Sequence, residues 1–167
     1  MTLTTPLQES DIANLKVGDM ITISGKIYCG RDAVLPKVQE AIAEGTLADL
    51  GIELEGAVIF HTAVSTAGVG PTSSNKFEIE SSIHPLSVAG VRLHLGKGAL
   101  SQETIKHLGD DNAVYAVIPP VTALLGDRTI SKRLVSFPEL GMEALYELEI
   151  EEYPAVIAAA NGKSIYD

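Results

Sequence analysis

Three positively charged residues lie at turns that follow predicted β-strands. Arg31 stands in the segment YCGRD, Lys76 in GPTSSNK and Lys97 in LGKG, so each has glycine or hydroxyl residues nearby. In an α/β sheet the loops that follow the strands gather at one edge, where ligands bind. Arginine can bind a carboxylate through two parallel hydrogen bonds, and lysine contributes a point charge. The pattern indicates a site for a small dicarboxylate; the alternative is that these cations occupy ordinary solvated turns.

A run of hydroxyl residues, Thr72, Ser73 and Ser74, precedes Lys76 in the segment GVGPTSSNKFE. Because this segment is polar and has no helical apolar stripe before Phe77, we expect a loop rather than a core strand. The hydroxyls can cap the helix that follows, or they can donate hydrogen bonds to a carboxylate and relay a proton. The sequence has neither a GxSxG nor a GxxxxGK[ST] motif, which argues against nucleophilic hydrolysis and against a phosphate loop.

Residues that bind metals are few and widely spaced. The chain has a single cysteine, Cys29, so it can form no internal disulfide and cannot by itself supply the thiolates of an iron–sulfur cluster. The four histidines, His61, His84, His94 and His107, lack the short spacing of a metal-binding motif. We therefore interpret them as isolated surface histidines or as histidines with satisfied hydrogen bonds, and we predict no metal site.

Hydrophobic periodicity predicts the elements that must position the cations. Strand-like segments recur along the chain, at residues 20–28, 57–64, 91–95, 113–120, 133–137, 144–151 and 155–160. Helical spacing covers residues 32–44, ending at Gly45, and residues 101–108, with Gly109 as the stop; it is interrupted by Pro85 within residues 77–88. This mixture predicts the α/β class and one compact domain over residues 1–167.

Composition narrows the functional classes. Hydrophobic residues make up 46% of the chain and the mean hydropathy is +0.20, as in folded globular proteins. The net charge is −10, from 22 acidic against 12 basic residues, which argues against nucleic acid and anionic membranes as partners. No signal peptide or membrane-spanning run is visible, so we expect a cytoplasmic protein.

Several short motifs, taken in order, resemble one known family. The segments LKVGD, SGKIYCGRD, GPTSSNKF, GKG, ELGMEALYELEI and NGKSIYD are similar to those of the β subunit of class I fumarases and L-tartrate dehydratases. The likeness extends from Leu15 to Tyr166. It implies a swivelling β/β/α domain of the class I fumarase C-terminal type. It also implies reversible dehydration of a 2-hydroxy dicarboxylate, with malate and fumarate as the default pair and tartrate as an alternative.

The same resemblance implies a partner chain. In this family a larger α subunit carries a [4Fe–4S] cluster, one iron of which binds the substrate. The chain is therefore expected to bind no cofactor of its own and to act in a heterodimer or an α2β2 assembly. When isolated from its partner, the chain is expected to be able to form a homodimer.

The motifs that match the family also imply roles for individual residues. Arg31 matches the arginine that grips a substrate carboxylate, and Lys97 matches the lysine of the GKG motif. Thr72 matches a threonine that takes part in proton abstraction together with an acidic residue of the α subunit. Ser73 and Ser74 of the same loop are expected to bind substrate.

Some positions depart from the family pattern. Lys76 stands where the family has arginine, although we still expect it to bind substrate, and Leu35 replaces a histidine. The expected AGP segment reads TAVST, and a later Pro-Gly-Gly-Cys segment reads IPPVTAL. Lysine cannot reproduce a bidentate arginine contact. The alternative function is therefore a catalytically silent binding or scaffold module with the same fold.

Overall fold

The computed structural model describes residues 2–30, 33–65, 68–72, 76–96, 100–118 and 128–164. The strands within them are β1 (Thr2–Thr4), β2 (Met20–Cys29), β3 (Val58–Phe60), β4 (Thr62–Ser65), β5 (Gly68–Thr72), β6 (Leu93–Gly96), β7 (Val114–Val117), β8 (Thr129–Ser136), β9 (Leu145–Ala160) and β10 (Lys163–Ser164). The α-helices are α1 (Glu9–Ala13), α2 (Leu35–Glu44), α3 (Lys76–Val88) and α4 (Gln102–Asp110), with 3-10 helices at Ala48–Leu50 and Pro138–Glu143. The interleaving of strands and helices confirms the mixed α/β class.

The main sheet closes on itself through β9. Strands β2, β3, β6 and β7 are parallel neighbours, whereas β9 runs antiparallel to both β2 and β7. Val156 of β9 pairs with Met20 on one side and with Val117 on the other. The five strands therefore form a ring, and β1, β8 and β10 extend the sheet from β2 and β9.

The ring encloses one apolar core, while the helices cover its outer faces. Ile23 of β2 and Leu93 of β6 belong to the enclosed cluster and have no solvent exposure. Side chains that alternate with them point outward, as expected along a strand. Tyr28 and Ile59 thus share a second cluster with α2 and with Leu86 of α3. In the described part of the chain, no helix combines the length and the apolar character that crossing a bilayer requires.

Gly25 lies at the level where the pairing of β2 with β9 changes register. Ile23 pairs with Tyr153 and Gly25 pairs with Ile150, so one residue of β2, Ser24, lies opposite two residues of β9, Glu151 and Glu152. This register shift is a β-bulge whose extra residue lies on β9. Gly25 has a φ of 110°, and a Cβ atom there would collide with the Oγ1 atom of Thr5. Glycine is thus required for both the backbone conformation and the close approach of the neighbouring segment.

The parallel strands end at one edge of the sheet. Cys29 pairs with Phe60, Phe60 with Leu95, and Leu95 with Ala116, so these residues of β2, β3, β6 and β7 lie at the same level. This carboxyl edge is where the chain leaves each of the four strands. Strand ends of parallel sheets are the usual location of ligand sites in α/β proteins.

Two strand predictions are wrong. Residues 57–64 do not form one strand, because β3 ends at Phe60 and β4 starts a separate two-stranded sheet with β5. That sheet includes residues 68–72, which the sequence predicted as a loop; backbone pairing in a two-stranded hairpin does not require the apolar alternation of a core strand. Conversely, the segments 144–151 and 155–160 form the single strand β9 through Pro154.

Helix boundaries also differ from the sequence prediction. Helix α2 begins at Leu35, and Gly45 ends it in a left-handed conformation with a φ of 73° as predicted. The interrupted pattern around Pro85 is a helix of 13 residues, α3. Ser101 caps α4 as predicted, but α4 continues through Gly109 to Asp110.

The enclosed core predicts a large difference between two positions of β2. Ile23→Ala should lower the free energy of unfolding by about 2–5 kcal/mol, because it removes methyl groups from a fully enclosed site. Met20→Ala is the matched control, since this side chain is 78% exposed and its loss should change the value by about 0.5 kcal/mol or less. Urea denaturation at neutral pH measures both. Equal losses in the two variants would contradict an enclosed ring core.

Candidate functional site

The predicted site residues lie only partly within the described residues. Arg31, Ser73, Ser74 and Lys97 lie outside them. The strands that precede Arg31 and Lys97, β2 and β6, are parallel members of the ring and end at the carboxyl edge. The structure therefore confirms that the two strands exist and that they end at the same edge of the sheet. The convergence of three cations on one ligand stays a prediction.

Thr72 and Lys76 are described as positions along the backbone. Thr72 is the last residue of β5 and pairs with Thr62 of β4, which follows His61 at the end of β3. Lys76 is the first residue of α3. The sequence placed Lys76 in a loop directly after the strand that contains β3, and this is wrong because the β4–β5 hairpin lies between them. The hairpin still starts at the carboxyl edge.

Leu35 is a packing residue. It opens α2, is 2% exposed and lies in a cluster with Tyr28, Val34 and Val38. A leucine in this position can neither donate nor accept a hydrogen bond. The Leu35 side chain therefore forms part of the contact between α2 and the sheet.

A buried chain of polar side chains leads to the carboxyl edge. His61 directly follows β3, and its backbone N–H donates to the carbonyl of Leu95 at 3.0 Å. Its Nε2 atom lies 3.1 Å from Nδ1 of His94 in β6, and Nε2 of His94 lies 2.9 Å from the hydroxyl of Ser87 in α3. The Ser87 hydroxyl donates to the carbonyl of Ile83 at 2.7 Å. Both imidazoles and Ser87 have no solvent exposure.

The hydrogen bonds fix the proton positions in this chain. Since Ser87 gives its proton to Ile83, it accepts from Nε2–H of His94, which leaves Nδ1 of His94 as an acceptor. His61 must then donate from Nε2, so its Nδ1 atom carries a lone pair. Among the described residues, this Nδ1 atom has no hydrogen-bond partner. The chain therefore ends in a buried acceptor at the carboxyl edge.

Burial keeps both imidazoles neutral. Removal from water lowers the pKa of His61 to about 4, from an ordinary value of 6.5. The pKa of His94 is also well below its ordinary value, first because of burial and then because of the charges of His61 and Arg92. A neutral imidazole at neutral pH is an acceptor and not a cation. These groups can orient a ligand or a side chain but add no fixed positive charge.

The interpretation of the histidines as isolated or satisfied is correct for His94, which has partners at both ring nitrogens. It is wrong for His61, which contacts His94 and whose Nδ1 atom has no partner among the described residues. A signal was present in the sequence, since His61 ends the apolar run AVIF and His94 interrupts the apolar alternation of VRLHL. Their contact depends on the parallel pairing of β3 with β6, which no local spacing contains.

The other two histidines form a half-exposed pair. The rings of His84 and His107 stack with centroids 4.1 Å apart, and Nδ1 of His84 lies 2.6 Å from a carboxylate oxygen of Asp111. Stacked imidazoles direct their lone pairs within nearly parallel planes and cannot both aim them at one ion. In the described ranges, no group of three or more His, Cys, Asp or Glu side chains is arranged to hold a metal.

Cys29 does not fit the ligation of an iron–sulfur cluster. It ends β2 with 1% exposure inside the enclosed core, and burial raises the pKa of its thiol. A cubane cluster needs several thiolates, and this chain has one cysteine. This chain therefore cannot by itself supply the thiolates of a cubane cluster.

Two other charged regions are separate from the carboxyl edge. Arg92, just before β6, donates to the carbonyls of Gly90, Ser87 and Asp111 and therefore has a structural role. A groove of about 440 Å³ runs beside β2 and is lined by four carboxylates: Glu53, Glu55, Glu147 and Glu149. Negative charge of this density disfavours a dicarboxylate, so this groove is not the predicted anion site.

Comparison with known proteins identifies the family. The fumarase C-terminus family model matches residues 1–167. The chain belongs to the fumarase C-terminus family. It is 27% identical to the L(+)-tartrate dehydratase subunit beta of Escherichia coli strain K12, over 94% of this chain and 81% of that protein. It is 28% identical to a Methanocaldococcus jannaschii protein with the provisional name L(+)-tartrate dehydratase subunit beta, over 96% of this chain and 88% of that protein.

Longer relatives contain this unit as a part. The chain is 29% identical to the aerobic class I fumarate hydratase of Salmonella typhimurium strain LT2, over 93% of this chain. It spans only 28% of that protein's length. The family assignment thus covers the whole chain. In a fumarate hydratase of this type, the sequence outside the matched unit is more than twice as long as the unit itself.

The buried histidines predict a loss of stability in mild acid. The unfolded chain binds a proton at His61 near pH 6.5, but the folded chain does so only near pH 4. Stability from His61 is thus complete above pH 6.5 and falls as the pH drops toward 4, by about 2 kcal/mol at pH 5. Urea denaturation of the wild type and of His61→Gln at pH 7.5 and 5 should show a smaller loss in the variant. The half-exposed His107→Gln serves as control, and equal pH slopes for wild type and His61→Gln would refute a buried neutral His61.

Proposed function

We propose that this chain is the β subunit of a hydro-lyase that reversibly removes water from a 2-hydroxy dicarboxylate. The observation that carries the proposal is the match of the fumarase C-terminus family over the full chain. Relatives whose lengths this chain nearly covers are named as tartrate dehydratase β subunits. The carboxyl edge of four parallel strands supports the proposal as a location for the substrate.

The rest of the enzyme is proposed to come from a second chain. The matched fumarate hydratases are more than three times as long as the unit that this chain resembles. We expect an α subunit to provide the remaining part, including a [4Fe–4S] cluster that supplies a Lewis acid for the leaving hydroxide. The single buried Cys29 agrees with a cluster held elsewhere. A heterodimer or an α2β2 assembly in the cytoplasm, with this chain as a swivelling domain, is the proposed form.

The role of this chain is to hold the substrate and stabilise charge. A proton next to a carboxylate is hard to remove, because negative charge accumulates on that carboxylate as the proton leaves. Fixed positive charges from Arg31, Lys76 and Lys97 would lower the energy of that state. The hydroxyl of Thr72 would take part in proton abstraction together with an acidic residue of the partner. Ser73 and Ser74 would donate hydrogen bonds to substrate oxygens.

Two substrates are proposed in order. Malate and fumarate form the first pair, and tartrate is the second candidate because the relatives of matching length carry that name. Lys76 stands where the resemblance leads us to expect arginine, and a lysine binds one carboxylate oxygen where an arginine binds two. This difference favours a test of malate and of tartrate as substrates. A silent binding or scaffold module remains the alternative function, motivated by Lys76 and by the buried Leu35.

Co-purification tests the proposed assembly. Tagged chain recovered from its native host without oxygen should bring down a cysteine-rich partner with iron and sulfide. The eluate should dehydrate malate or tartrate, whereas the purified chain alone should be inactive. Recovery of the chain without partner, iron or turnover would support the silent module instead.

Substitution of the proposed clamp tests the residue roles. Arg31→Ala and Lys97→Ala should each lower kcat/KM at least about 100-fold in the assembled enzyme, because each removes a fixed charge that acts on the transition state. Lys106→Ala on the exposed side of α4 is the matched control and should leave the rate unchanged. Near-normal turnover in either clamp variant would remove that residue from the site. Denaturation midpoints for all three variants separate loss of function from loss of fold.

A further inference from the structure

The groove beside β2 is a second concave surface of the molecule. It encloses about 440 Å³, its surface is mostly apolar, and its walls carry four carboxylates. A neighbouring cavity of about 570 Å³ shares Pro6, Glu53 and Glu55 with it, so the depression continues toward α1. An open, elongated depression of this kind fits an extended chain better than a compact small molecule.

The groove lies at a gap in the pairing of β2. On the side of β2 that faces away from β9, β1 pairs with residues up to Ser24, and the pairing with β3 starts at Tyr28. Among the described residues, residues 25–27 have a strand partner only in β9. The same three residues line the groove. A short stretch of strand edge is therefore open to the groove.

The backbone groups of Lys26 are directed to this open side. The carbonyl of Ser24 points there, because it accepts from the N–H of Thr5 at 3.0 Å. The N–H of Gly30 points there as well, because it donates to the carbonyl of Phe60 at 3.1 Å. Successive residues of a strand direct their N–H and C=O groups to alternate sides. Lys26, an even number of residues from both, thus presents its backbone groups to the gap.

The hydroxyl of Tyr28 adds a buried donor to the groove. Its oxygen accepts from the backbone N–H of Glu53 at 3.0 Å, and the residue is 9% exposed. Burial raises the pKa of Tyr28, so the hydroxyl keeps its proton at neutral pH. Among the described residues that proton has no acceptor. Buried tyrosine hydroxyls usually donate to a partner, and a carbonyl oxygen of a bound chain can accept here.

The charges around the groove are unbalanced. On β9, Glu149 lies directly opposite Lys26, and Glu147 forms an ion pair with Arg133 at 3.3 Å. The facing wall carries the other two carboxylates, Glu53 and Glu55. Both of these are exposed, and neither forms an ion pair with a described residue. Four carboxylates against two cations attract a ligand that carries positive charge.

We propose that this groove binds an extended segment of a partner protein that carries lysine or arginine side chains. The backbone of the segment hydrogen-bonds with the open edge of β2 at Lys26, and one of its carbonyls accepts from the Tyr28 hydroxyl. Its cationic side chains lie beside Glu53 and Glu55. Backbone pairing at a strand edge with charge selection by side chains is a common mode of peptide recognition. The proposal does not depend on the proposed dehydration function.

Other occupants agree less well with the groove. A free polyamine carries positive charge but has no oxygen that could accept from Tyr28. A second copy of this chain is disfavoured by its net charge of −10. The basic strand β8 also uses Arg128 and Arg133 in ion pairs within its own chain. For a metal, no group of three or more suitable side chains is arranged around an ion in the described part of the chain.

Titration of the nitrogen-15-labelled full chain with a capped peptide, acetyl-Val-Lys-Val-Lys-Val-amide, tests the surface by NMR. The amide signals of residues that line the groove should shift. Exchange of the Lys26 amide proton with solvent should slow at least about 5-fold at saturating peptide, because a hydrogen-bonded amide exchanges only when it is released. Binding should weaken as salt screens the carboxylates. Shifts confined to other surfaces, or unchanged exchange at Lys26, would overturn the proposal.

Substitutions separate local charge from net charge. The double variant Glu53→Gln with Glu55→Gln should bind the peptide about 5- to 10-fold more weakly at low salt, since it loses two exposed charge pairs. Glu40→Gln with Glu44→Gln changes the net charge equally at exposed positions of α2 and should bind as the wild type does. Tyr28→Phe should weaken binding about 3- to 10-fold through one lost hydrogen bond. Equal weakening in both double variants would refute a specific site.

The remaining arms identify the occupant. The peptide with glutamate in place of both lysines should not bind. Spermidine that binds as tightly as the lysine peptide would assign the groove to free polyamines and overturn the proposal. Signals of the groove that shift on dilution of the chain without peptide would assign it to a second copy instead. No arm measures turnover, so failure of the proposed function leaves this test intact, and denaturation midpoints show that each variant is folded.

Discussion

The double pairing of β9 is the constraint on which the rest of the structure depends. Because Val156 pairs with both β2 and β7, the sheet has an enclosed interior instead of two open faces. The interior takes the apolar side chains of five strands, and the helices are left to cover the outside. Closure also sets the register of β2, β3, β6 and β7, so the four parallel strands end together at one edge.

Burial at that edge, in the ring for Cys29 and beneath α3 for the histidines, has electrostatic consequences. Groups at the strand ends are removed from water, which keeps Cys29 protonated and keeps the imidazoles of His61 and His94 neutral. A neutral imidazole can be buried at acceptable cost when its nitrogens are hydrogen-bonded, as both are in His94. Among the described residues, Nδ1 of His61 is the one buried side-chain nitrogen or oxygen atom without a hydrogen-bond partner. Mild acid should lower the stability of the folded chain, because His61 binds a proton more readily in the unfolded chain than in the folded chain.

The proposed assembly of two chains is consistent with this arrangement. The unit described has a closed ring of strands, a carboxyl edge from which cation-bearing segments leave, and no set of residues that could hold a cluster among the described residues. Family membership over the full length, together with the much greater length of the fumarate hydratase relatives, agrees with a division of labour between subunits. In that proposal this chain contributes oriented charge, and its partner contributes the Lewis acid.

The sequence by itself determined the α/β class, the amphipathic helix α2 with its glycine cap, and the family, because each depends on local spacing or on a short motif. It did not predict the β4–β5 hairpin or the continuity of β9, since backbone pairing carries both without a matching apolar pattern. Only the tertiary structure brought His61 to His94, two residues 33 positions apart on neighbouring parallel strands. Contacts of this kind arise from sheet order and register, and closure of the ring by β9 fixes both.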